Sequence, residues 1–109
     1  MSNMLLDHVA VTSRNMTADI EFYSQLGFVV QTRYGDWVML RDDKGFGVAL
    51  LNPSGKHPPH YALRVSSREA VERIAKQHDH ELLCHRDGSV SVYITDPSGN
   101  SLEIVYYPD

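Results

Sequence analysis

The sequence predicts an α+β chain made of two copies of one βαβββ module. Three observations predict it. "HVAVTS" at 8–13 and "HYALRV" at 60–65 share a His-x-Ala-apolar pattern, 52 residues apart. Each copy is followed by a helix-like stretch and then by three short runs with strand character. Between the copies lies "NPSGKHPPH", whose Pro and Gly content suits a linker rather than an element interior. The modules are assigned to 4–52 and 59–107, joined by a linker at 53–58 within a single domain, 1–109.

The first strand alternates with period two. Val9 and Val11 make one face, and His8, Ala10 and Thr12 make the other. "NMTADIEFYSQLGF" then reads as a helix, with Asn15 as N-cap and Gly27 as its C-terminal stop. Strand runs follow at about 28–34, 36–42 and 46–52. In the fifth strand Tyr61, Leu63 and Val65 oppose His60, Ala62 and Arg64. "SSREAVERIAKQHDH" is the second helix. Ser66 and Glu69 have the capping-box spacing, and Val71, Ile74 and Ala75 form an apolar stripe. The last strands fall at about 81–86, 89–95 and 101–107. "DPSGN" at 96–100 is a tight turn, after which Leu102 and Ile104 alternate with Ser101, Glu103 and Val105.

Composition narrows the function. With 42% hydrophobic and 22% charged residues, the chain has the make-up of a soluble globular domain. A net charge of −4 gives no electrostatic support for binding nucleic acid or anionic lipid. The opening "MSNMLLDHVAV" has a short apolar stretch and no basic region, so no signal peptide is expected. No run approaches the roughly 18–20 apolar residues of a membrane span. The single Cys84 excludes an internal disulfide and suits a reducing cytoplasm. The expected partner is a small molecule.

Face sorting yields a set of candidate residues. A uniformly apolar strand face must lie under a helix, so His8, His60 and Glu103 belong to the opposite face. If the two modules set their sheets side by side, the three converge. Two imidazoles and a carboxylate suit Zn, Fe, Mn or Ni and leave positions open for substrate. Singly, each is weak. A His opening a strand is usually a hydrogen-bonded surface residue, and a strand Glu usually faces water. Alignment of the repeat lifts them, because Glu103 falls on Ala49 of the first copy and so is no requirement of the architecture. The other four histidines, His57, His78, His80 and His85, receive no role. Tyr93, across the last hairpin from Glu103, is the candidate second acid–base group. Trp37, Met39, Arg41 and Arg64 are candidate substrate contacts, an Arg there being able to grip a carboxylate or phosphate.

The stretches "LDHVAVTSRNMTADIEFYSQLGF", "HYALRV" and "VYITDPSGNSLEI" resemble the vicinal oxygen chelate superfamily of glyoxalases, bleomycin-resistance proteins, extradiol dioxygenases and fosfomycin-resistance transferases. The resemblance implies a curved mixed sheet around a cleft, with metal ligands at the positions of His8, His60 and Glu103. Glyoxalase I supplies a fourth ligand, a Glu, where Ala49 stands here. "PHYAL" echoes the "THYAF" of fosfomycin transferases, but only six residues follow Glu103, whereas those enzymes carry a C-terminal extension.

Two function classes follow. One is a metal-dependent enzyme acting on a small polar oxygen-bearing molecule, with a divalent ion as Lewis acid: a glyoxalase-like lyase or isomerase, a thiol transferase or a dioxygenase. In it Glu103 is a ligand and Tyr93 an acid–base partner. The other is a metal-free protein that sequesters a small molecule or antibiotic. The resemblance also implies a homodimer. Met1, Met4, Tyr106 and Tyr107 are candidate contacts, and ligands shared between chains remain open.

Overall fold

A computed structural model describes residues 4–55 and 57–108. Its elements run β1 (Leu5–Thr12), α1 (Met16–Gln25), β2 (Val29–Tyr34), β3 (Trp37–Arg41), β4 (Gly47–Leu51), β5 (His60–Arg64), α2 (Arg68–Gln77), β6 (Leu83–Cys84), β7 (Val90–Thr95) and β8 (Ser101–Tyr106). The α+β class and the twice-repeated βαβββ order are those expected. Of the expected contact residues, Met1 lies outside the described residues.

Contacts divide the chain into two compact units. One is Asp7–His60, and the other joins residues up to Leu6 to those from Tyr61 onward. In the first, the strands lie in the order β2-β3-β4-β1. Here β2/β3 and β3/β4 are antiparallel, and β4 runs parallel to β1 with His8 opposite Gly47 and Ala10 opposite Ala49. The second repeats the pattern as β5-β8-β7-β6. There β5/β8 is parallel and the remaining pairs are antiparallel.

Alternation decides which face each helix covers. In the first unit Val38, Leu40, Val48 and Leu50 are buried, with Val9, Val11 and the α1 residues Met16, Ile20 and Tyr23 packed on them. In the second, Val90, Val92, Leu102 and Ile104 are buried with Val71 and Ala75 of α2. Fully burying one such aliphatic side chain contributes about 1.5–3 kcal/mol. The helices differ in depth. Val71 and Ala75 of α2 are buried, whereas α1 has no buried residue. The side chains of Phe22 and Leu26, at the end of α1, stay exposed.

Local signals held with two shifts. The Asn15 side chain accepts from the Ala18 N–H and caps α1. The second cap is Ser67, not Ser66. Its hydroxyl accepts from Ala70 N–H at 3.1 Å, because Arg68 is already the first helical residue. The sixth strand is shorter than 81–86. It pairs with β7 only at Leu83 and Cys84, since His85 to Ser89 close a turn and Leu82 packs into the core instead. Gly27, beyond α1, has φ 105°, a left-handed conformation that glycine adopts without strain.

Candidate functional site

In the first unit, the helix-free face carries His8, Ala10 and Thr12 of β1 beside Gly47, Ala49 and Leu51 of β4. His8 is buried. Its Nδ1 lies 2.7 Å from an Asp7 carboxylate oxygen. The same oxygen accepts from Arg41 Nη2 at 3.1 Å. Arg41 also donates from Nη1 to the Asp7 carbonyl at 3.0 Å and to the Gly45 carbonyl at 2.9 Å, and from Nε to Gln31 at 3.1 Å. With the Asp7 carboxylate held by Arg41, the His8 Nδ1 is the donor, so Nε2 is the ring nitrogen that can accept.

His60, at the start of β5, meets His8 edge to face, with ring centroids 5.7 Å apart and planes at 74°. Their ring nitrogens include a pair within 4.8 Å, close enough to share one ion. The His60 Nδ1 is 2.8 Å from the Pro58 carbonyl, and a carbonyl can only accept, so this ring too offers Nε2. Trp37 and Met39 lie on the same side, packed with Ala10, Ala49 and Leu51. Tyr34 meets Trp37 in a tilted contact, with ring centroids 5.1 Å apart and planes at 48°.

In the second unit, Glu103 is buried on the face opposite α2. Tyr93 stands opposite it across β7/β8, and Ala62 stands opposite it across β5/β8. Burial first, then the charge of Glu103 and a hydrogen bond to it, push the Tyr93 phenol well above the usual tyrosine range. The phenol is thus a donor to the carboxylate across the range in which enzymes work. Arg64 lies opposite Val105 on the Ala62 side of β5, exposed at the strand's end.

Sequence reasoning gave His85 no role, yet its Nε2 lies 2.7 Å from the Ser91 hydroxyl and 4.0 Å from a Glu103 oxygen. The alternation of β7 could have pointed to it, because Ser91 and Tyr93 share the face of Glu103. Asp7 was also missed. Its sequence signal is adjacency to His8, but its ion pair with a residue 34 positions away has no local signature.

No family model matches the chain, and no curated protein does. Solved structures do. Methylmalonyl-CoA epimerase from Mycobacterium tuberculosis aligns over 95% of this chain and 88% of its own, with a TM-score of 0.72 at 20% identity. A variant of homoprotocatechuate 2,3-dioxygenase from B. fuscum aligns over 92% of this chain and 33% of its own, with a TM-score of 0.77 at 18% identity. A catechol 2,3-dioxygenase aligns over 94% and 41%, with a TM-score of 0.69 at 18% identity. The chain shares the fold of these three enzymes. The chain spans about a third of the homoprotocatechuate dioxygenase and most of the epimerase. Likeness at this low identity shows the fold alone, and chemistry must be argued from side chains. Among the described residues, no helix is long and apolar enough to cross a membrane.

Proposed function

We propose that this chain is a metal-dependent enzyme in which His8, His60 and Glu103 hold one divalent ion and a small oxygen-bearing substrate binds beside it. The observation that carries the reading is the pairing of two strand contacts. The His8 and His60 rings touch. Glu103 stands opposite Ala62, two residues beyond His60 and on its side of β5. Among the described residues, these three are the group whose donor atoms could hold an ion.

The donor set fits such an ion. Both imidazoles have Nδ1 on an acceptor and so offer Nε2, and the carboxylate is buried rather than solvated. Two nitrogens and one oxygen suit Zn, Fe, Mn or Ni. A bound ion would act as a Lewis acid, polarising a substrate oxygen and stabilising charge that develops there. The chain's own residues do the rest. Tyr93 steadies Glu103 and supplies a proton donor next to it. Trp37 and Met39 offer an apolar wall, and Arg64 offers a cation for an anionic substituent. The epimerase and dioxygenases that share the fold act on oxygen-bearing small molecules by name, which supports this substrate class.

The exposed apolar side chains Leu5, Leu6, Phe22, Leu26 and Val29 favour a homodimer. Of the residues expected at such a contact, Met4 is exposed and Tyr106 and Tyr107 are half-buried. An exposed, unpaired Cys84 is consistent with a reducing cytoplasm.

Metal analysis of the purified chain against His60→Ala tests the proposal. The wild type retains close to one ion per chain and the variant much less. Equal content in the two removes His60 from the site. Tight ligand binding that survives exhaustive chelation, without turnover, supports a sequestering protein instead.

A further inference from the structure

The two histidines are backed differently. Behind His60 stands the neutral Pro58 carbonyl, whereas behind His8 stands a buried carboxylate held in turn by a guanidinium. The geometry that permits this is specific. Arg41 is on β3 and Asp7 precedes His8 on β1, with β4 running between them. Gly47 of β4 pairs with His8 on one side and with Arg41 on the other. A Cβ placed on Gly47 would fall 2.8 Å from His8 Cβ, 2.9 Å from Arg41 Nη1 and 3.1 Å from Met39 Sδ. The missing side chain is the gap over which Arg41 reaches Asp7.

We propose that Arg41, passing over Gly47, holds the Asp7 carboxylate against His8, and that these three are positioning residues that make His8 the fixed and more strongly donating histidine of the site. The inference rests on the metal reading above and deepens it. Asp7 is buried and its ion pair with Arg41 is largely shielded, so their attraction is little screened. A carboxylate behind an imidazole fixes which nitrogen carries the proton and raises the basicity of the other. A carbonyl fixes the proton but adds less negative charge. The set is not required by the βαβββ repeat, since the residue before His60 is Pro59.

Two measurements on the full chain test this. Nitrogen–proton correlation spectra of the demetallated protein should show His8 protonated on Nδ1 and bare on Nε2. In Asp7→Asn that pattern should be lost at His8 and kept at His60, a selectivity that a general loosening of the fold would not produce. Competition for cobalt(II) with a chromophoric chelator should give Asp7→Asn an affinity roughly 10–100-fold below wild type. Should Asp7→Asn fail to fold, Arg41→Ala and Arg41→Lys replace it, with Arg41→Lys retaining more affinity than Arg41→Ala. Wild type that takes up no cobalt overturns the metal reading and this inference with it. Wild type that binds, with the Asp7 or Arg41 variants binding as tightly, overturns this inference alone, as does a His8 protonated on Nε2.

Discussion

Tyr93 and Glu103 face each other across the antiparallel pair β7/β8, each partly or wholly withdrawn from water. The phenol hydrogen-bonds the carboxylate, and its pKa rises because burial and a neighbouring negative charge both disfavour phenolate. Removing the hydroxyl takes a hydrogen bond from a buried charge. Tyr93→Phe should cost about 1–3 kcal/mol of stability in the demetallated chain, read from urea unfolding. A change under about 0.5 kcal/mol would mean that the hydrogen bond contributes nothing measurable.

The helix-covered faces should be the costly places to cut. Leu40 is fully buried under α1, and Leu40→Ala should lose about 2–5 kcal/mol. Leu26, at the end of the same helix, is 62% exposed, and Leu26→Ala should stay within about 0.5 kcal/mol of wild type. Similar losses at the two positions would contradict the assignment of faces.

The turn before β8 should be acid-sensitive. The Asp96 side chain accepts from Ser98 N–H at 3.0 Å and Asn100 N–H at 2.9 Å. The Asn100 side-chain amide, first among these partners, holds the Asp96 carboxyl below the usual range. A lowered folded pKa contributes stability that is present above the unfolded value of about 3.9 and is lost as pH falls through the folded one. Asp96→Ala should therefore melt below wild type at pH 7, with the gap narrowing as pH drops under about 4. A gap that is constant from pH 7 to pH 3 would show that the carboxylate's charge does not act in the turn.

What the sequence disclosed and what it hid divide along sequence distance. Period-two alternation in "HVAVT" and "SLEIV" was enough to place His8 and Glu103 opposite the helices, because a strand face is a local property. The His-x-Ala repeat marked equivalent strands for the same reason. The cap of α2 slipped by one residue because Ser66 and Ser67 are chemically alike, and only the backbone chooses between them. The Arg41–Asp7 pair could not be read at all. It depends on Gly47 leaving space between strands 34 residues apart in sequence. His85 escaped because β6 is two residues long, too short for alternation to show.

Association is open to a direct check. Light scattering at micromolar concentration should return about twice the 12.3 kDa of the chain, and a monomer mass would end the dimer reading. If ligands are shared between chains, mixing His8→Ala with Glu103→Ala should restore part of the metal binding. Within-chain sites would give none.

The central claim is that His8, His60 and Glu103 share one ion, and cobalt(II) titration of the demetallated chain tests it most directly. The account predicts d–d absorption that saturates at one equivalent per chain, with affinity reduced at least about tenfold in each of His8→Ala, His60→Ala and Glu103→Ala. Titration without saturation, or a Glu103→Ala variant that binds as tightly as wild type, would contradict it.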